Sequence, residues 1–363
     1  MALAKAPEPV PLVPARSVWT LALNNQITLP PAYDQTRVYF SIEHERLVAY
    51  DLASGARAWL VETRAIFQPS AGDDLVFLAE ADALVALHAT DGSEAWRTPV
   101  PEPLAVRPVW DSGRLVAATK SGMMLGYRAA DGQLVWQTDV QSAPHAAPTI
   151  AGDRLYVPTT DSRVVALQVT DGTALWERRV GGLPNDILAA DDRLFVGSTD
   201  DFFYCLIAKD GRIDWRWRTG ADVIGLPAAD AQRVYFVSLD NVLRALNRVS
   251  GGQYWMRALP LRPISGPALA GGTLVVAGQS RTVKTFNAKD GAATADINAG
   301  AEVAAPPRAL PPVAGFPQLL VVTRDIVKGA VATLSVRSIE PATAPMAPLP
   351  NPIMPALTPA IRP

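Results

Sequence analysis

Short apolar runs of four to eight residues recur along the chain, and small or polar turn residues separate them at nearly constant spacing. In residues 107–138 the apolar runs are VRPVW, RLVAAT, MMLGYRAA and QLVWQT, divided by DSG, KSG and DG. Such runs, rich in Val, Leu, Tyr and Trp, predict β-strands, and no longer stretch has the period of an amphipathic helix. The pattern therefore predicts an all-β protein in which each repeat supplies four short strands.

The repeats share a turn glycine that is followed, four residues later, by Trp. Seven copies align, of which VVALQVTDGTALW at residues 164–176 is typical. The turn glycines are Gly55, Gly92, Gly132, Gly172, Gly211, Gly251 and Gly291. The residues four positions later are Trp59, Trp96, Trp136, Trp176, Trp215, Trp255 and Ala295. A large flat side chain fills the gap between adjacent sheets, so we expect the Trp series to pack one repeat against the next. The Asp-Gly and Ser-Gly pairs are explained by the positive φ that a hairpin turn requires.

The two ends of the chain complete each other. Trp19, in SVWTLAL, precedes the first full repeat and gives an eighth outer-strand position. At the other end PRALPP, PQLLVVT and GAVATLSVR give three strands with no Asp-Gly turn and no Trp after them. Joining the first strand to these three closes a ring and leaves only short edges. We therefore predict an eight-bladed β-propeller of four-stranded antiparallel blades over residues 17–340, with the N-terminal strand completing the C-terminal blade.

A proline series and two proline-rich ends flank these strands. One proline recurs near the start of each first strand, where a missing N–H is tolerated, so we interpret the series as marking strand starts. Seven of the eight strands have it, at Pro31, Pro69, Pro108, Pro148, Pro227, Pro267 and Pro307, and Leu188 stands in the one remaining place. Residues 1–16 and 341–363 are proline-rich without a strand period and are predicted to be disordered. Residues 1–18 also lack the basic start and continuous apolar run of a secretion signal.

Charge and composition argue against several classes of partner. The 33 basic residues nearly balance the 35 acidic ones and are scattered, so we expect no nucleic-acid partner. No run of 18 apolar residues predicts a transmembrane span. The single Cys205 excludes an internal disulfide and is expected to be a buried, inert thiol.

Residues with catalytic or metal-binding chemistry do not form a recognisable group in the sequence. The three histidines lie in different repeats, and His145, in SAPHAAP, could face the centre of the ring or be a solvated loop residue. The acidic residues between second and third strands lack the spacing of an EF-hand and are explained as turn formers. They include Asp161, Asp200, Asp201 and Asp240. The sequence therefore predicts no catalytic and no metal-binding residue.

The phrase A-L-x-x-x-D-G-x-x-x-W, repeated over residues 38–295, resembles the repeats of the PQQ-like propellers. WD40 repeats fit less well, because no Trp of the series is followed by Asp. The resemblance leaves two kinds of protein open. One is a quinoprotein dehydrogenase, which holds PQQ and calcium in a central funnel. The other is a BamB-type factor of outer-membrane protein assembly, a scaffold without a cofactor.

Chain length, short connecting loops and a lone cysteine favour the second kind. The resemblance then implies a monomeric, non-catalytic protein-binding scaffold, periplasmic and peripheral to the outer membrane, whose partner is a barrel assembly protein. The alternatives are a PQQ-dependent oxidoreductase, or a degenerate relative of one, and a sensory or complex-forming propeller unrelated to membrane assembly. The segment LPLRPISGP resembles a Leu-x-Leu-Arg partner-binding loop, which makes Leu259, Leu261 and Arg262 candidate contact residues; an ordinary connecting loop is the other interpretation.

Overall fold

The computed structural model describes residues 9–23, 25–325 and 333–341, and in these ranges it contains β-strands and no helix. The strands form eight antiparallel sheets, arranged as the blades of an all-β propeller. The predicted fold class is thereby confirmed. Because no helix is found among the described residues, none is long and apolar enough to cross a membrane.

Blades 1 to 4 follow one another along the chain after the first strand, β1 (Ala15–Ala22). Blade 1 contains β2 (Ala32–Tyr33), β3 (Arg37–Ile42), β4 (Arg46–Asp51) and β5 (Arg57–Glu62). Blade 2 contains β6 (Ser70–Gly72), β7 (Leu75–Ala79), β8 (Ala83–His88) and β9 (Glu94–Pro99). Blade 3 contains β10 (Val109–Asp111), β11 (Arg114–Ala118), β12 (Met123–Arg128) and β13 (Leu134–Asp139). Blade 4 contains β14 (Thr149–Ala151), β15 (Arg154–Pro158), β16 (Arg163–Gln168) and β17 (Ala174–Arg179).

Blades 5 to 8 continue the same order. Blade 5 contains β18 (Pro184–Ala190), β19 (Arg193–Ser198), β20 (Phe202–Ile207) and β21 (Ile213–Arg218). Blade 6 contains β22 (Val223–Ala229), β23 (Arg233–Ser238), β24 (Val242–Asn247) and β25 (Gln253–Ala258). Blade 7 contains β26 (Ala268–Ala270), β27 (Thr273–Val276), β28 (Thr282–Asn287) and β29 (Ile297–Asn298). Blade 8 contains β30 (Glu302–Val303), β31 (Arg308–Val313), β32 (Phe316–Asp325) and β33 (Thr333–Pro341), with β1 outside them.

The N-terminal strand closes the ring as predicted. β1 pairs antiparallel with β33, and β33 pairs with β32. β30 and β31 share the innermost position of this blade, because each pairs with a different part of the long strand β32. Blade 8 is therefore assembled from both ends of the chain.

Packing is concentrated between blades, in eight separate clusters of buried apolar side chains. Each cluster joins two neighbouring blades. The cluster of Val38 and Phe40 with Leu320 and Val322 joins blade 1 to blade 8. Alternation along the second and third strands sends side chains into the clusters on both sides of a blade, so these strands are almost continuously apolar.

The Trp series links every blade except blade 7 to the turn between the third and fourth strands of the next blade. Every indole N–H donates to a backbone carbonyl there, at 2.8 to 3.3 Å. The donors are Trp19, Trp59, Trp96, Trp136, Trp176, Trp215 and Trp255, and the acceptors are Leu52, Ala89, Ala129, Val169, Ala208, Arg248 and Ala288. A Cβ added to the turn glycine would lie 2.4 to 3.0 Å from the ring, so the indole occupies the space above it.

The turn itself is longer than the sequence suggests. In residues 107–138 the third strand was expected to run through Ala130, yet β12 ends at Arg128. Gly132 donates its N–H to the Arg128 carbonyl at 2.9 Å, which makes residues 129–132 a four-residue turn with Gly132 at φ 69°. The extra turn residues present the carbonyl of Ala129 to Trp96.

Residues 9–16 differ from the expected disorder. The Leu12 N–H donates to the Thr273 hydroxyl at 2.9 Å, and Gly272 donates to the Val10 carbonyl at 3.2 Å. The Leu12 side chain is fully buried in the cluster between blades 7 and 8. That interface lacks a Trp, since Ala295 holds its place, and it is lined largely by small residues, so Leu12 fills space that an aromatic ring fills elsewhere. Residues 1–8 and 342–363 lie outside the described residues.

The proline series lies where each blade begins, as predicted. Six of the prolines directly precede an innermost strand, and Pro227 lies within β22. Most of the series lines the cavity on the propeller axis. A residue that faces the axis has no strand beyond it to receive an N–H, so proline costs no ladder hydrogen bond there.

Candidate functional site: the axial channel

The two faces of the ring are built differently. In an antiparallel blade, successive turns alternate between the two faces of the ring. The turn between the second and third strands of a blade and the connection to the next blade therefore lie on the same face. Leu259, at the start of the connection from blade 6 to blade 7, accordingly donates its N–H to Asn241 in such a turn. We call this side the connection face.

A cavity of about 900 Å³ lies on the axis and is lined by the innermost strands of the blades. Leu226 and Ile264, which are 46% and 38% exposed, belong to its lining. Both precede the proline position of their blade and therefore lie toward the connection face. These two exposed side chains therefore lie at the end of the cavity nearest the connection face.

The repeat register identifies the unusual residues of this channel. Directly before the proline position the blades carry Pro30, Gln68, Arg107, Ala147, Ile187, Leu226, Gly266 and Pro306. Arg107 is the charged member of this set. At the position directly after the proline, Arg308 stands where the other blades have small or β-branched residues. The symmetry of the fold does not require either charge.

Two innermost strands are irregular and reshape one side of the channel. In blade 5 Pro184 pairs with Ser198 and Ile187 with Val196, so β18 carries an extra residue and presents Asp186 to the channel. In blade 6 Ile224 pairs with Val237 and Ala228 with Tyr235, so β22 carries two extra residues around Leu226. Bulges commonly redirect side chains beside functional sites.

The bulge in β22 also brings two blades into backbone contact. A Cβ added to Gly266 would lie 1.9 Å from the Leu226 carbonyl oxygen, so only glycine fits there. This approach places Leu226 beside the connection that carries Ile264. The two exposed apolar side chains therefore belong to one rim of the channel.

Arg107 and Asp186 influence each other across the channel without forming a close ion pair. Burial lowers the pKa of the Arg107 guanidinium, Asp186 opposes this effect, and Arg308 adds to it by repulsion. Burial raises the pKa of the Asp186 carboxyl, and the positive charges of Arg107 and His145 partly offset it. Among the described residues neither group has a hydrogen bond or an ion pair within 4.0 Å.

Two aromatic rings of the channel lie against neighbouring groups. The Arg308 guanidinium lies 5.7 Å from the centre of the Tyr33 ring. Burial raises the pKa of Tyr33, while the charge of Arg308 lowers it, so the phenol stays protonated. The Trp110 ring occupies the space over Gly72 of the neighbouring blade, where an added Cβ would lie 2.2 Å away.

The predicted contact loop is only partly on the surface. Leu259 is 7% exposed and belongs to the core between blades 6 and 7, so it cannot be an exposed anchor as expected. Leu261 is half-buried against the same core. Arg262 is exposed and Ile264 follows it, so the accessible part of this loop is Leu261 to Ile264.

The acidic turn residues are held by their own blades. Asp240 accepts hydrogen bonds from Arg244 at 2.6 Å, from Ser238 at 2.6 Å and from the Gly220 N–H at 3.0 Å. Burial opposes its ionisation, but the bonds from Arg244 and Ser238 outweigh burial and hold the pKa of Asp240 at about 2. Asp161 is paired with Arg163 at 2.6 Å. The Asp240 carboxylate thereby fastens the turn of blade 6 to the connection that precedes this blade.

Cys205 and His145 also have defined surroundings. Cys205 is fully buried between blades 5 and 6, and burial raises the pKa of its thiol to about 12, which keeps it protonated. The half-buried His145 donates its backbone N–H to the Pro158 carbonyl, and its ring lies within electrostatic range of Asp186. It therefore lies near Asp186 without being part of the cavity lining.

The channel does not fit a calcium-bound quinone. Calcium prefers six to eight oxygen ligands, and the described residues contain no group of three or more His, Cys, Asp or Glu side chains that could hold a metal. Arg107 and Arg308 would repel a divalent cation.

Comparison with protein families decides where this propeller belongs. A family described as outer membrane protein assembly factor BamB matches residues 14–103, 43–186 and 181–305. The chain belongs to this family. A search of curated proteins gave no significant sequence match.

Solved structures share the BamB-type fold but not its sequence. BamB from Moraxella catarrhalis has 19% identity and a TM-score of 0.68, and the match covers 89% of this chain and 97% of that one. Quinohemoprotein alcohol dehydrogenase from Comamonas testosteroni has 12% identity and a TM-score of 0.67, with 90% and 76% covered. Sqt1 from Saccharomyces cerevisiae has 11% identity and a TM-score of 0.73, with 88% and 98% covered. At these identities the structural similarity establishes the fold alone.

Sequence reasoning missed the charged and bulged residues of the channel. Arg107, Asp186 and Arg308 are far apart in the chain. They line the same cavity only because every innermost strand faces the axis. Aligning the blades on the proline series would have revealed Arg107 and Arg308 as exceptions. The bulge that presents Asp186 left one signal, the Leu188 that interrupts the proline series.

Proposed function

We propose that this protein is a non-catalytic, protein-binding factor that assists the assembly of outer-membrane proteins from the periplasmic side of the envelope. The observation that carries the proposal is the match to the family described as outer membrane protein assembly factor BamB, in stretches that extend from residue 14 to residue 305. They run from the closing strand through the seventh blade. The partner is then a barrel assembly protein of the outer membrane.

The connection face supplies the binding surface in this proposal. Ile66, Leu226 and Ile264 are 45%, 46% and 38% exposed, and all three lie on connections or blade starts of this face. Leu261 and Arg262 lie beside Ile264 on the same connection. Exposed apolar side chains flanked by an arginine are typical of protein interfaces.

The short connections favour binding over catalysis. The loop that carries Ile264 is held by a hydrogen bond from its N–H to Ala277 at 3.1 Å, and Ile66 is held to Ala79 at 2.8 Å. A surface already fixed in conformation loses little entropy when a partner binds. This rigidity suits a docking platform.

The proposal is tested by removing the gene and measuring outer-membrane barrel proteins by quantitative mass spectrometry. We expect their amounts to fall, and we expect wild-type protein to restore them while Leu226→Asp with Ile264→Asp does not. Val249→Asp is the matched control, because Val249 is 62% exposed in the turn between the third and fourth strands, on the opposite face. Unchanged barrel proteins in the deletion strain would contradict the proposal.

The competing oxidoreductase function is tested separately with PQQ and calcium. Because the channel lacks a fitting ligand set, we expect no saturable spectral change and no alcohol-dependent dye reduction. Stoichiometric binding with turnover would replace the scaffold by a quinone-dependent enzyme.

A further inference from the structure

Two guanidinium groups, those of Arg107 and Arg308, line the axial channel. Arg107 precedes β10 and Arg308 begins β31, and each lies in the lining of the same cavity. The positive charge of Arg308 disfavours the charged form of Arg107 and lowers its pKa. Among the described residues, no carboxylate lies within 4.0 Å of either group. A negatively charged group placed between them would remove this repulsion.

The carboxylates of the channel do not balance both guanidinium groups. Asp186 acts on Arg107 more strongly than Arg308 does, but it forms no ion pair with it, and its own burial disfavours its charged form. Asp111, at the far end of β10, lies four residues from Arg107, which is about 13 Å along a strand. With the two guanidinium groups of Arg107 and Arg308 against the single carboxylate of Asp186, this part of the channel has an excess of positive charge.

Beside this charge lies the apolar rim. Leu226 and Ile264 are brought together by the close approach of Gly266 to the Leu226 carbonyl. Both side chains belong to the lining of the cavity and are exposed. A ligand that reaches the arginines from the connection face therefore passes over apolar side chains first.

We propose that the axial channel binds the free C-terminal carboxylate of an extended peptide between Arg107 and Arg308, with the apolar residues before it resting on Leu226 and Ile264. This inference rests on the proposed protein-binding function and names the part of the partner that is recognised. A chain end can enter a channel along its axis, whereas an acidic side chain within a chain would require both flanking segments to leave by the same mouth. A small organic acid would leave the apolar rim unused.

The test uses fluorescence anisotropy with a labelled decapeptide of alternating serine and valine that ends in leucine. The same peptide with an amidated C-terminus is the control for the carboxylate, and both are measured on the full-length wild-type protein. A charge-assisted hydrogen bond to a carboxylate contributes enough free energy that amidation should weaken binding about tenfold or more. Because the peptide and not the protein is changed, this comparison is independent of folding.

Protein variants locate the site. Arg107→Gln and Arg308→Gln should each lower the affinity for the free-acid peptide about tenfold. The affinity should then be close to that for the amidated peptide. Arg128→Gln is the matched control and should bind like wild type, since Arg128, the last residue of β12, is paired at the surface with Asp131 in the turn that follows. Arg107→Lys keeps the charge and should retain part of the affinity.

Three outcomes would overturn the inference. Equal binding of acid and amide peptides, or no binding of either, would reject the channel as a carboxylate site. If millimolar succinate displaces the peptide, and if Leu226→Asp does not change the affinity for the peptide, the site would be assigned to a small organic acid instead. If the protein still captures the purified barrel assembly protein in these cases, only the inference fails. If that capture also fails, the proposed function fails with it.

Discussion

The indole ring of Trp19 lies against Gly55, and its N–H donates to the Leu52 carbonyl at 2.9 Å. Trp19 belongs to the outermost strand of blade 8 and Gly55 to a turn of blade 1. The same contact is repeated at six further interfaces. Blade 7 has no such Trp, because the corresponding turn of blade 8 is replaced by the two ends of the chain. The position of Ala295 therefore marks the place where the ring is closed.

The Trp–glycine contact predicts an unusual difference between two similar mutations. Gly211 and Gly152 both have a positive φ, of 69° and 61°. An added Cβ would lie 2.4 Å from the Trp176 ring at Gly211 and would meet nothing within 4 Å at Gly152. We expect Gly152→Ala to lower the free energy of unfolding by about 1 kcal/mol, because only backbone strain is added. Gly211→Ala should lower it by about 2 to 4 kcal/mol, because overpacking against Trp176 is added to the strain.

Denaturant unfolding of the two variants measures this difference. Equal losses would mean that the Trp176 ring moves aside without cost. The contact would then not stabilise the blade interface.

Leu12 predicts that a segment outside the repeats contributes to stability. Its side chain is fully buried between blades 7 and 8, whereas Val10 is 38% exposed. We expect Leu12→Ala to lower the free energy of unfolding by about 2 to 5 kcal/mol, as for other buried leucines. Val10→Ala should change it little. If both variants unfold like wild type in a calorimeter, residues 9–14 do not contribute to the core.

Asp240 predicts a pH-dependent contribution to stability. Its pKa in the folded protein is about 2, below the ordinary 3.8, so the stabilisation is complete above about pH 4 and disappears as the pH falls toward 2. A pKa shift of this size corresponds to a contribution of about 2 kcal/mol to the free energy of unfolding. Asp240→Asn should therefore be less stable than wild type at pH 7, and the difference should shrink between pH 4 and pH 2.

A surface aspartate provides the control for this experiment. Asp131 is also paired with an arginine, Arg128, but both side chains are about half exposed. Asp131→Asn should change stability much less at pH 7, since solvent screens the pair. A pH-independent loss in Asp240→Asn would show that the amide disrupts packing rather than charge.

The repeat pattern contained most of the fold, while the functional surface depended on details that the pattern does not encode. Periodic Gly and Trp positions predicted the number of blades, and the unpaired strands at both ends predicted the closure. The burial of Leu12 was missed, because a short proline-rich segment carries no strand period and its binding depends on space left by small residues in blades 7 and 8. Leu259 was misjudged because a loop residue in sequence can still pack into the core.

The channel was invisible for a different reason. Arg107, Asp186 and Arg308 meet through closure of the ring, and no local spacing in the sequence relates them. The bulges in β18 and β22 add residues without changing the apolar character of the strands, so strand prediction does not detect them. Only the three-dimensional register distinguishes a residue that faces the axis from one that packs between blades.

The central claim is that the connection face docks a barrel assembly protein of the outer membrane, and site-specific photocrosslinking in cells tests it most directly. A photoreactive residue would replace Ile264 on the connection face, and Val249 on the opposite face would serve as the control, since both side chains are exposed. The account predicts a crosslink from position 264 to the barrel assembly protein, identified by mass spectrometry, and none from position 249. Equal crosslinking from both positions, or none to that protein from position 264, would contradict it.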